Sequence, residues 1–194
     1  MASLRNRKLS IYKRGCTVLA ESRRRAHTDQ IELSINPGAD INATDAEGKT
    51  ILMIESSTGF DNSETIQNLV AKGADVNAAD AKARTALIYA AHNLNAANLR
   101  TLIKLGADVN HVTTSGDTAL ITICSRPEED PDRDTWWYWI FPDFDYEYEI
   151  EMCAVVLIDA KADVQMANSA GMTAFRWARR YSRTGIMRMI LAAW

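Results

Sequence analysis

Thr85-Ala86-Leu87-Ile88-Tyr89-Ala90-Ala91, then Leu99-Arg100-Thr101-Leu102-Ile103, then Gly106-Ala107-Asp108-Val109-Asn110, is the stretch that decides the fold. A threonine ahead of an apolar, alanine-rich run reads as an N-cap and a good helix former, and the small Ala90 and Ala91 permit close helix approach. Leu99, Leu102 and Ile103, at three-to-four spacing, give a second helix one buried face. Gly106 falls where a helix takes a left-handed C′ residue. The Asp-Val-Asn that follows, with turn formers such as Asp80 or Ser115-Gly116, suits a tight hairpin-like excursion to a next unit. Such a unit cannot bury its apolar face alone, so stacked neighbours must supply the core.

Those neighbours are present. The closing phrase recurs as Gly38-Ala39-Asp40-Ile41-Asn42, Gly73-Ala74-Asp75-Val76-Asn77 and a worn Lys161-Ala162-Asp163-Val164-Gln165. The opening phrase Gly-x-Thr recurs as Gly15-Cys16-Thr17, Gly48-Lys49-Thr50, Gly116-Asp117-Thr118 and Gly171-Met172-Thr173, with Ala83-Arg84-Thr85 as the variant. Both phrases keep a period of about 33 residues and stay in register, the signature of stacked supersecondary units. The chain resembles the ankyrin repeat from about Gly15 to Trp194.

The resemblance implies an all-α solenoid of helix-turn-helix units with short hairpin turns, a single domain over 1–194. Five repeats start near 15, 48, 83, 116 and 171. The family's Thr-Pro-Leu-His signature has lost every Pro and His here. Its fourth position is Ala20, Met53, Ile88, Ile121 and Arg176, and without the bracing histidine the array is expected to be less stable than an idealised one. Polar outer faces on terminal repeats act as caps. Glu21 and Arg23 to Arg25 in the first unit fit that role, as do Arg176, Arg179, Arg180, Arg183 and Arg188 in the last. Glu55 stands at a position usually small and buried, and the sequence offers no reason for it.

One interval breaks the period. The phrases after Gly106 and Thr118 recur only 55 residues later, at Lys161 and Thr173. The extra residues fall within about 126–147, between a first helix ending near Ser125 and a second starting near Tyr148. Loops longer than about 12–15 residues are uncommon in compact domains and are usually functional or disordered. From Arg126 to Glu151 there are ten carboxylates against two arginines, a local charge of −8 in a chain of net −3. Eight of the fifteen aromatic residues lie between Trp136 and Tyr148, a density that argues against simple disorder. Two readings stay open: the rings fold back onto neighbouring helices, or several stay exposed as an anchor for a partner. Trp and Tyr are enriched at binding hot spots, and carboxylates make a natural rim. The candidate residues there are Trp136, Trp137, Tyr138, Trp139, Phe141, Phe144 and Tyr146, with Asp132, Asp134, Asp143 and Asp145.

The resemblance implies a second candidate surface, the concave one of turn tips and first helices. Carried over by register, it holds Lys82 and Arg84, Ser115 and Asp117, and the helix residues His92 and Asn93.

Catalysis finds no support. Gly48-Lys49-Thr50 looks like the end of a phosphate-binding loop, but Ala43 stands where that loop needs a glycine, and the repeat phase already explains the match. His27, His92 and His111 sit in different units, and His27 falls at a structural family position. Cys16, Cys124 and Cys153 have neither metal nor disulfide spacing and read as reduced, buried thiols. No cofactor or metal is expected. The basic N-terminus lacks the apolar core of a signal peptide, and no stretch approaches a membrane span. The arginine clusters lie at opposite ends of the array, and the pI is about 5.6; nucleic-acid binding is therefore not expected. The expected protein is cytoplasmic, non-enzymatic and monomeric in isolation. It acts by occupying a partner protein, which the acidic insertion suggests is basic. As an alternative, an immunity-type inhibitor would mask a basic toxin such as a nuclease.

Overall fold

A computed structural model of the chain describes residues 40–127 and 146–194. Asn42–Trp194 form one compact unit. The first expected repeat, with His27 and the Arg23 to Arg25 run, lies outside the described residues, as does the insertion from Glu128 to Asp145. Among the described residues there are eight helices and no strands beyond isolated bridges.

The helices fall in pairs. Helices α1 (Ile51–Ser56) and α2 (Ser63–Ala71) make the first pair, α3 (Ala86–His92) and α4 (Ala96–Lys104) the second. The third joins α5 (Ala119–Cys124) to α6 (Tyr146–Asp159), and the fourth α7 (Ala174–Arg180) to α8 (Thr184–Ala192). First helices pack on first helices, α1 on α3, α3 on α5 and α5 on α7, and second helices do the same from α2 to α8. The long helix starts two residues earlier than the sequence suggests, so Tyr146 and Glu147 belong to α6 and not to the insertion.

The core repeats with the same period. Leu52, Leu87 and Leu120 are buried at equivalent places in first helices; Ile66 and Leu69, Leu99 and Leu102, Cys153 and Leu157, Ile186 and Ile190 fill the second helices. Thr50, Thr118 and Thr173 cap their helices, each Oγ1 accepting from the N–H three residues on. Thr85 departs from this expectation: it is the N-cap residue of α3, but its buried hydroxyl makes no capping bond.

Asparagine explains the recurrent phrase. Asn77 donates through Nδ2 to the Gly106 carbonyl and accepts from the Asp108 N–H at 2.8 Å. Asn42 makes the same pair of bonds to Gly73 and Asp75, and Asn110 accepts from the Asp163 N–H at 2.8 Å. Each asparagine thus ties its repeat to the next. Gln165 stands in the corresponding place of the worn fourth copy of the phrase.

The odd residues find their reasons here. Glu55 is 1% exposed, and its carboxylate accepts from Asn62 Nδ2 at 3.0 Å. Asn62 N–H in turn donates to Asn98 Oδ1 at 2.9 Å, and Asn98 and Asn95 donate to the Phe60 carbonyl. The carboxylate therefore anchors a buried polar network that crosses from one helix-to-helix loop to the next repeat. Arg183 is the correction. Read from sequence as a solvated cap, it is 3% exposed. Its guanidinium donates to the Cys124 carbonyl at 2.8 Å, the Arg126 carbonyl at 2.7 Å and Glu147 Oε1 at 3.1 Å. One arginine of the last repeat thereby holds both residues that lead into the insertion and the start of the helix that follows it.

Candidate interaction surface

The turn tips are built alike. In each, a side chain at the first position accepts from N–H groups further round the turn: Asp45 from Glu47 and Lys49, Asp80 from Lys82 and Arg84, Asn168 from Ala170 and Met172, and Thr113 from Asp117. The fourth residue is left-handed: Gly48 at φ +79°, Ala83 at +54°, Gly116 at +80°, Gly171 at +69°. At Gly116 an added Cβ would lie 2.9 Å from the Ser169 nitrogen, so neighbouring tips approach closely. Backbone bonds join them: Ala81 N–H to the Glu47 carbonyl at 3.3 Å, Thr114 to Lys82 at 3.0 Å, and Ser169 to Ser115 at 2.9 Å. His111 Nε2 lies 3.0 Å from the Ala83 carbonyl, a further brace between tips. The four tips form a continuous hydrogen-bonded edge.

Below this edge lie the first helices. Tyr89 of α3 donates its hydroxyl to Asp80 Oδ2 at 2.8 Å, while Arg84 contributes Nε and Nη2 to the same oxygen, each at 2.8 Å. The Arg84 guanidinium lies 4.7 Å from the Tyr89 ring centroid, and Lys49 of the preceding tip 5.8 Å from it. Burial alone would raise the Asp80 carboxyl; the bonds from the Arg84 N–H, the Tyr89 hydroxyl, the Arg84 guanidinium and the Lys82 N–H overcome it and bring the pKa down to about 2. Burial, then the bond to Asp80, pushes the Tyr89 hydroxyl well above its ordinary value.

The sequence-selected residues divide by what already engages them. Lys82 and Ser115 are exposed at neighbouring tips, and the Ser115 hydroxyl donates to Asp117. Arg84 is committed to Asp80, and Asp117 accepts from Asn168 Nδ2 at 2.7 Å across to the last repeat. His92 is exposed, with Nδ1 3.4 Å from an Arg126 nitrogen, and Asn93 donates to the Tyr89 carbonyl at 3.0 Å. Lys82 and Ser115 thus lie together on the edge; His92 and Asn93 lie at the far end of α3. Trp136, Trp137, Tyr138, Trp139, Phe141, Phe144, Asp132, Asp134, Asp143 and Asp145 lie outside the described residues, and Tyr146 is described only as the first residue of α6. Tyr89, which sequence reading took only as part of a helical run, is 8% exposed and braces the Asp80 tip from beneath the surface. An aromatic one turn into a first helix, after an Asp and an Arg in the tip, was the signal available.

Cys124 and Cys153 are buried, and burial raises both thiols to about 12, leaving them neutral. No helix of the described residues is long and apolar enough to cross a membrane.

Paired helices stacked in register, with hydrogen-bonded tips along one edge, define a helical repeat solenoid. The family model of ankyrin repeats (3 copies) matches residues 17–113, which is 97 of the 194 residues. The chain belongs to the ankyrin-repeat family. No curated protein matches it.

Proposed function

We propose that this array is a non-catalytic module that binds a partner protein through its tip-side face, with the acidic aromatic insertion as a second contact. Ankyrin repeats generally mediate protein–protein interactions and are typically not catalytic. The supporting observation is the tip-to-tip ladder. It holds Lys82, Ser115 and the side chains beside them in a fixed array before any partner arrives, which lowers the ordering cost of association. The reading is of a cytoplasmic monomer that works by occupancy.

A second reading, an inhibitor of a basic toxin, draws on the charge of −8 between Arg126 and Glu151. A carboxylate-rich segment can steer a basic partner into contact and mask it.

The test is affinity capture followed by surface exchange of charge. Lys82→Glu with Ser115→Arg should weaken retention of the captured protein by about tenfold or more, against a Gln67→Glu control on the exposed side of α2. Equal retention by both would remove the tip face from the account. If the captured protein is a nuclease whose activity falls on binding, the inhibitor reading stands; undiminished activity ends it.

A further inference from the structure

The last repeat carries an unbalanced charge. Gly171–Trp194 contain five arginines and no Asp or Glu. Of these five, only Arg183 has a carboxylate partner among the described residues, and none pairs with Arg176, Arg179, Arg180 or Arg188. Arg176 and Arg179 stand at the register places that hold buried Ile88 and Ala91 in α3, so they face outward from the end of the stack. Arg180 and Trp177 follow the rows of His92 and Tyr89. Capping requires polarity there, which a mixture of signs would supply equally well. Like charges at i, i+3 and i, i+4 on one helix are instead mutually destabilising.

The arginines are also ordered. Arg180 lies 5.5 Å from the Trp177 ring centroid, Trp177 stacks on Tyr181 at 6.0 Å with a 9° interplanar angle, and Arg183 lies 5.0 Å from the Tyr181 ring. The stack is closed at one end, because the Arg183 donors are taken by Cys124, Arg126 and Glu147. It is open at the other, where Arg180 is exposed. Arg176 is steadied by donating to the Gly171 carbonyl at 2.6 Å. Trp177 Nε1, shielded from water, has no acceptor. A guanidinium stacked on an aromatic face is pre-organised to receive a carboxylate with two parallel bonds.

We infer that the edge formed by Arg176, Trp177, Arg179 and Arg180 docks an acidic segment of a protein partner. Charge complementarity selects an acidic occupant, and the array's proposed role as a partner-binding module makes that occupant a protein segment. The inference rests on reading the array as a partner-binding module and adds a second surface with its own chemistry.

The experiment uses the full chain and a fluorescein-labelled glutamate-rich peptide at low salt, followed by anisotropy. Arg176→Gln with Arg180→Gln should weaken peptide binding about tenfold or more, since charge-assisted bonds are lost. Arg100→Gln with Lys104→Gln, two exposed cations of α4, should leave it unchanged. Melting curves of these surface variants should coincide with that of the unaltered chain, which separates binding from folding. Equal weakening by both pairs would reduce the effect to bulk charge and overturn the inference. So would tighter binding of a single-stranded RNA of matched charge, or a concentration-dependent dimer that the peptide dissociates, which would make a second copy the occupant. If a captured partner is lost with the Lys82 and Ser115 changes but indifferent to the α7 changes, this inference fails while the proposed function stands.

Discussion

Asp80 gathers two backbone N–H groups, a guanidinium and a phenol hydroxyl into one turn, and its acidity records that burden. Because its folded-state pKa is depressed to about 2, its stabilisation is complete above the ordinary aspartate range and is lost as pH falls through that value. The melting temperature of the unaltered chain should therefore drop relative to Asp80→Asn between about pH 4 and pH 2, with the gap constant at neutral pH. Parallel curves through that window would show that Asp80 is not held as described. Backbone cost falls on four non-glycine residues among those described, Ala83, Leu94, Lys161 and Ser182, all at positive φ. Ala83 at φ +54° and Lys161 at φ +66° occupy the left-handed region that glycine fills in sister repeats. The left-handed penalty of about 1–2 kcal/mol exceeds the entropy glycine adds to the unfolded chain, about 0.5–1 kcal/mol. Ala83→Gly and Lys161→Gly should each raise stability by a few tenths to about 1 kcal/mol in urea titrations. A loss of stability at both would contradict the backbone assignment.

Among the helices, α3 and α5 bury Leu87 and Leu120 to 1% exposure each. Replacing either by alanine should cost about 2–5 kcal/mol by equilibrium denaturation; a cost under about 0.5 kcal/mol at both would mean the register is wrong. Helix α8 contributes Arg183 from its N-cap position, and Arg183→Met should cost about 1–3 kcal/mol for each buried carbonyl left without a donor. Lysine should recover only part, since one ammonium cannot span three acceptors set apart. The element scale also divides what the sequence disclosed from what it hid. Helix pairing and register were legible because two phrases repeat in step, and the apolar spacing of Leu99 and Leu102 belongs to one strip of helix. Arg183 and the bridging asparagines were not, because their partners lie a whole repeat or more away, and Glu55 was not, because Asn62 pairs with it from a loop outside the helical period. Local periodicity carries no record of contacts such as Arg183 to Cys124. The asparagines left a trace in the phrase itself, where only the fourth copy puts Gln165 in their place.

At the scale of the whole molecule, repeats contact only their neighbours, so stability and recognition separate along the stack. Deleting residues 128–145 and closing the gap with a short turn should leave the melting temperature within a few degrees, since Arg183 already ties Arg126 and Glu147 at the two roots. Partner binding should then fall if the insertion is a contact; a fall of several degrees with affinity unchanged would make the aromatic run packing instead. The central claim is that a pre-built edge of turn tips and first helices receives a partner protein. Hydrogen–deuterium exchange of the chain with and without its captured partner tests it most directly. The account predicts new protection at the tips around Lys82 and Ser115, with α2 and α4 unchanged on their exposed sides. Protection confined to α2 and α4, with the tips exchanging as in the free chain, would contradict it.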